Sequence, residues 1–97
     1  MQATAGKPAR DFAIVYYVYI LQSKPAPNQR YIGLTRDLKK RLVDHQDGQS
    51  PHTAKFAPWV IVAYVAFVAE NTAAAFEKYL KSGSGRAFVK RHFLSPN

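Results

Sequence analysis

Pro25-Ala26-Pro27-Asn28 cuts an otherwise extended segment in two. Proline has no N–H to donate and a fixed φ, so neither a strand nor a helix runs through this stretch and the chain must turn. Before the break, Ile14 to Ser23 is rich in Val, Ile and Tyr and reads as a strand; after it, Arg30 to Leu34 resumes extended chain. The pair is expected to form a hairpin with a long loop. Side chains alternate across a strand, so Tyr17 and Tyr19 share one face while Tyr16 and Val18 take the other. With the turn near Ala26, Tyr19 falls roughly opposite residues 31–33, close to Tyr31.

From Thr35 the pattern changes period. Thr35 is placed to cap a helix whose apolar side includes Leu38 and Leu42 and which Gly48 ends. Residues 49–58 read as irregular, punctuated by Pro51 and Pro58. Trp59 to Ala69, β-branched and aromatic, is expected as a third strand buried on much of both faces. Asn71 or Thr72 then caps a second helix running through Lys81, with Phe76 and Leu80 on one side, and Ser82-Gly83-Ser84-Gly85 reads as a flexible break. A last helix runs from Arg86 to about Phe93, with Phe88 and either Phe93 or Leu94 turned inward. The predicted fold is α+β, an antiparallel three-stranded sheet flanked by helices in the order ββαβαα, because three strands cannot bury their apolar face alone.

A length of 97 residues suits one domain, placed over 14–94, with residues 1–13 as a flexible leader that lacks the apolar core of a signal peptide. The longest apolar stretch, Trp59 to Ala69, falls short of the ~20 residues a membrane helix needs. Without cysteine there is no disulfide framework, no thiolate zinc site and no thiol nucleophile, which suits a cytoplasmic setting. A net charge of +8 and a pI near 10.0 call for a polyanionic partner. DNA is the first expectation, RNA is left open, and an acidic membrane surface has only the charge in its favour.

Tyr19 and Tyr31 are either cross-strand packing aromatics or phenols that work at a site. Arg41 and His45, four residues apart on one helix face away from Leu38 and Leu42, are either a solvated face or a guanidinium and imidazole suited to phosphodiester chemistry. Glu77 is the only acid within the second helix. It pairs with Lys81 at i+4, or it is the single protein ligand of a Mg²⁺ ion, which is commonly held by one or two carboxylates, water and substrate phosphate. Acids are too sparse for a two-metal centre. Arg36, Lys40, Lys55, Lys81, Arg86, Lys90 and Arg91 are expected to track phosphates, the alternative being a solubilising surface.

These residues together resemble the GIY-YIG nuclease superfamily and, within it, the small excinuclease-C-like proteins. Tyr17-Val18-Tyr19 is similar to the first motif, with Tyr in place of its usual Gly, and Tyr31-Ile32-Gly33 matches the second. Thr35 to Leu42 is similar to the basic helix, His45 stands where a His or Tyr is found, and Pro58-Trp59 and Phe76 to Lys81 follow the later pattern. The resemblance spans about residues 15–92. It departs at Leu34, where relatives carry Lys, and at a late Asn whose nearest counterparts are Ser82, Ser84 or Arg86.

The resemblance implies an endonuclease that hydrolyses phosphodiester bonds with one Mg²⁺ or Mn²⁺ ion, in DNA repair or processing, with selectivity for DNA structure. Carried over, Tyr19 and Tyr31 are the motif tyrosines, Arg41 the charge-stabilising guanidinium, His45 the helix proton acceptor and Glu77 the metal ligand. The general base stays open among Tyr19, Tyr31 and His45. The competing reading is a nucleic-acid-binding module that keeps the fold without catalysis.

Overall fold

A computed structural model describes residues 14–47 and 51–94 of the protein. The leader expected over 1–13, and Gly48 as the stop of the first helix, lie outside the described residues. The strands are β1 (Tyr16–Ser23), β2 (Arg30–Thr35) and β3 (Trp59–Phe67); the helices are α1 (Leu38–Gln46), α2 (Pro51–Ala54), α3 (Glu70–Leu80) and α4 (Gly83–His92). The predicted order ββαβαα holds, with α2 added as a single turn inside the segment expected to be irregular. No helix among the described residues is long and apolar enough to cross a membrane.

The sheet is antiparallel in the order β2-β1-β3. Tyr19 faces Gly33 on one side and Tyr64 on the other, and a bulge follows Ile20, because Ile20 pairs with Ala63 and Leu21 with Ile61. The central strand is therefore β1, and it is β1 whose Val18, Tyr19, Ile20 and Leu21 are buried on both faces. The expectation that the third strand is buried on much of both faces does not hold. Among the described residues β3 is an edge strand with a neighbouring strand on one side alone, and its Tyr64 is 54% exposed.

The alternation of β1 divides the core. Val18 and Ile20 pack with Ala73, Leu80 and Val89, joined by Phe67, Phe76, Phe88 and Phe93, against α3 and α4. Tyr19 and Leu21 pack with Trp59, joined by Tyr31, Leu38, Leu42 and Phe56, against α1 and the segment after it. The Gln46 side chain fixes the end of α1 to β3: its Oε1 accepts from the Trp59 N–H at 2.6 Å and its Nε2 donates to the Trp59 carbonyl at 2.8 Å.

Three helix starts differ from the expected ones, each for a local reason. Asp37, not Thr35, caps α1, accepting from the Lys40 N–H at 3.1 Å; Thr35 ends β2 and its hydroxyl takes the Asp37 N–H at 3.0 Å. Ala69 precedes α3 with no side-chain cap, so Asn71 and Thr72 lie inside the first turn. Ser82 caps α4 by accepting from the Gly85 N–H at 3.1 Å, so the glycine-rich run opens a helix instead of separating two. A Cβ on Gly85 would collide with the Tyr79 carbonyl and Leu80 Cα, so only glycine lets α4 start this close to the end of α3.

Candidate active site

β1 carries Tyr19 beneath α1, and its ring lies over Gly33 of β2. A Cβ at Gly33 would run into the Tyr19 hydroxyl and ring, which is why the second motif ends in glycine. Tyr19 is 1% exposed, so its hydroxyl must find partners inside the protein. One is His45 Nε2, at 3.1 Å. His45, on the fourth-residue repeat from Arg41, is 0% exposed, and its Nδ1 lies 2.8 Å from Thr53 Oγ1. A solvated face is thereby excluded for His45, which points into the sheet. Tyr31, directly opposite Leu21 and only part-buried, sets its ring 4.7 Å from the imidazole and 6.2 Å from the Tyr19 ring.

Arg41 completes the group. Its guanidinium is near enough to the Tyr19 hydroxyl to shift both groups, and its Nη1 is 3.7 Å from Asp44 Oδ2. A guanidinium only donates, so toward Arg41 the Tyr19 oxygen can act only as an acceptor. The phenol proton then fits the bond to His45 Nε2, leaving the Nδ1 proton for Thr53. Burial pushes the Tyr19 phenol above its usual value, although the Arg41 hydrogen bond and charge pull it down. Burial, then the Arg41 charge, pulls the His45 imidazole below its usual value, with Asp44 opposing. The bond to Tyr19 raises Arg41 further, so its charge is permanent. The resting site is a neutral phenol, a neutral imidazole and one fixed cation.

Glu77 projects from α3, 23% exposed, with Oε2 3.0 Å from Lys81 Nζ. Because α3 begins at Glu70, the helix holds two acids and not the one expected, and it is the Glu77 charge that contributes to raising Tyr19. Among the described residues, no three His, Cys, Asp or Glu side chains gather into a ready cation cage.

The description "GIY-YIG catalytic domain" matches residues 15–91. The chain belongs to the GIY-YIG family. It is 37% identical to the structure-specific endonuclease subunit SLX1 of Candida dubliniensis over 95% of its own length and 34% of that protein's. It is also 37% identical to the SLX1 subunit of Debaryomyces hansenii over 82% of its length and 24% of that protein's. The chain thus spans about a quarter to a third of these relatives. Among solved structures, the UPF0213 protein BH0048 from Bacillus halodurans resembles it with a TM-score of 0.52 and 28% identity, over 82% of this chain and 87% of that one.

Within this GIY-YIG domain the cations expected to track phosphates are carried by several different elements. Lys40 pairs with Asp44 at 3.3 Å, Arg36 is exposed ahead of α1, and Lys55 stands over the Phe56 ring at 5.4 Å. Lys90 and Arg91 occupy the exposed last turn of α4, where they also complement its dipole. Lys81 and Arg86 do meet, across a cleft that Arg30 of β2 shares. Sequence reasoning missed Thr53 and Arg30. Thr53 sits in a turn that no periodicity announces, whereas Arg30 opens a predicted strand on the same face as Ile32 and was legible as such.

Proposed function

We propose that this domain is a metal-dependent DNA endonuclease, selective for DNA structure, that uses one Mg²⁺ or Mn²⁺ ion. The observation that carries this reading is the convergence of Tyr19, Tyr31, Arg41 and His45 on one spot, with Glu77 in electrostatic reach. Likeness to two structure-specific endonuclease subunits supports the selectivity for structure.

Burial separates the roles. His45 has both ring nitrogens engaged inside the protein and meets no water directly. Tyr19 is equally enclosed and holds Arg41 on one side and His45 on the other. Tyr31 is the more open phenol, packed on the imidazole and within the field of Arg41. In this reading Tyr31 takes the proton of the attacking water. The water oxygen bonds to phosphorus and the bond to the 3′ oxygen breaks. Arg41, aimed by Tyr19 and Asp44, stabilises the charge that builds on the phosphoryl oxygens.

A partly exposed carboxylate that belongs to no cluster of three ligating side chains among the described residues fits an ion that keeps most of its water and takes its other ligands from phosphate. Glu77 would hold it. When bound, the ion supplies polarisation of the phosphoryl group and neutralises charge on the leaving oxygen.

The test is Glu77→Gln, which removes the charge and nearly keeps the shape. Mg²⁺-dependent nicking of branched and duplex DNA should be abolished, with little change in DNA affinity or thermal midpoint. Nicking at the wild-type rate would remove Glu77 from the site and leave Glu70 as the acid to examine. DNA binding without any nicking by the wild-type protein would make this a binding module.

A further inference from the structure

On the face of the sheet opposite α1, a cleft of about 430 Å³ opens between β2, the end of α3 and α4. Its floor is apolar, built from Ile20, Ile32 and Val89, and its rim carries Arg30, Lys81 and Arg86. Among the described residues no acidic side chain lines it. Lys81 is paired with Glu77, but neither arginine forms an ion pair among the described residues. With Lys81 matched by Glu77, Arg30 and Arg86 stand beside the apolar floor as two exposed cations, a combination that attracts an anion.

The geometry points to this cleft as the binding site for one unpaired nucleotide of the substrate strand, its phosphate between Arg30 and Arg86 and its sugar and base on the apolar floor. The volume lies at the small end of the ~300–1,000 Å³ typical of ligand pockets, room for a nucleotide and too little for a duplex. Guanidinium groups suit phosphate by paired, charge-assisted hydrogen bonds. Two residues connect the cleft to the proposed active site. Tyr31 lines the cleft and also packs on His45, and Lys81 lines it and also pairs with Glu77. A strand anchored here would leave the duplex within a short reach of Tyr31. Selection for a junction between paired and unpaired DNA then follows from one site that admits only an unpaired nucleotide.

This inference rests on the reading of the domain as a DNA nuclease, and the experiment separates the two. Fluorescence anisotropy with labelled oligothymidylate and with a blunt duplex compares wild type, Arg30→Ala/Arg86→Ala, and Asn28→Trp, which fills the cleft from its exposed loop without altering charge. Lys39→Ala, on the exposed side of α1, controls for loss of one cation elsewhere. The double variant should lose about 10- to 100-fold in single-strand affinity, as expected for two charge-assisted contacts. Its log-affinity against log-salt slope should become shallower by roughly 0.7, the value for the single phosphate the two arginines share. Asn28→Trp should weaken single-strand binding while duplex binding stays at the wild-type level, and thymidine monophosphate should compete where thymidine does not. Equal loss for duplex and single strand in both variants, or no loss in either, would overturn the inference, as would competition by inorganic phosphate as strong as that by the nucleotide. A protein that nicks DNA with these variants silent keeps the nuclease reading and loses the cleft; variants that lose single-strand binding in a protein that never nicks do the reverse.

Discussion

On the α3–α4 side of the sheet, Val18, Ile20, Ala73, Leu80 and Val89 meet carbon to carbon, with Phe67, Phe76, Phe88 and Phe93 tilted or edge-on around them. On the α1 side, Tyr19, His45, Thr53 and Trp59 each bring a polar atom into a place without water, and each must be matched. The Trp59 indole N–H donates to the Thr53 carbonyl at 2.9 Å, and Ser23 Oγ donates to the Phe56 carbonyl at 2.6 Å. The first face can lose a methyl group and pay only for a cavity. The second is defined by a connected set of hydrogen bonds, where removing one partner strands another. Stability and chemistry are therefore drawn mainly from opposite faces of the same central strand.

The largest expected effect tests the polar face. Tyr31→Phe keeps the ring against His45 and removes the more accessible of the two phenol oxygens at the site. Loss of a general base costs about 10²–10⁴-fold, so single-turnover nicking should fall by that much with folding intact. Tyr19→Phe should also slow cleavage, by releasing Arg41 and stranding His45 Nε2, and it should lower the thermal midpoint where Tyr31→Phe does not. If both variants cut at the wild-type rate, the tyrosine pair is packing alone and the proposed mechanism falls.

Leu80→Ala makes the opposite cut. Leu80 is fully enclosed between α3, α4 and the sheet, and truncating such a side chain costs about 2–5 kcal/mol of stability. Urea denaturation should register that loss, and the rate per folded molecule at low temperature should stay near wild type. A catalytic loss as large as that of Tyr31→Phe would show that the two faces are not separable.

Thr53→Val, nearly equal in volume, probes the connection between the faces' polar and apolar logic. It leaves His45 Nδ1 without its 2.8 Å partner in a site closed to water, a cost of about 1–3 kcal/mol. Thermal unfolding should show it. An unchanged midpoint would mean that the Thr53 hydroxyl does not hold the imidazole.

Much of the second face was readable from residues alone. Alternation along β1 and the break at Pro25–Asn28 set Tyr19 beside Tyr31, and the i, i+4 repeat put Arg41 and His45 on one side of a helix. The direction of that side was not readable, because Leu38 and Leu42 also pack toward Tyr19 and Trp59; the burial of His45 depends on Thr53, eight residues away in a turn. The centrality of β1 was equally hidden, since both β1 and β3 carry long apolar runs and only pairing decides which is flanked twice. Ser82-Gly83-Ser84-Gly85 has a composition typical of linkers, and it becomes a helix start only when Gly85 is pressed against Tyr79 and Leu80. Each of these misses is a tertiary contact overriding a local preference.

The smallest effect concerns acid. The His45 imidazole lies below its usual value when folded, first because it is buried and next because Arg41 faces it from the same helix, with Asp44 opposing. In the unfolded chain it titrates near the ordinary histidine value of about 6.5. Between these two values the unfolded chain binds more protons than the folded one, so stability rises with pH across that window. The contribution is fully present above the unfolded value and is lost as pH falls through it toward the folded value. Carboxylates with ordinary values near 4 stay ionised over most of the same range, so the window belongs chiefly to histidine. The thermal midpoint of the wild type should therefore decline between pH 7.5 and 5. His45→Gln, which keeps an amide able to bond Tyr19 or Thr53 but does not titrate, should start lower and decline less. Parallel declines in the two proteins would place the acid sensitivity elsewhere. A steeper decline in the variant would mean that the imidazole is stabilised by protonation, against the burial that encloses it.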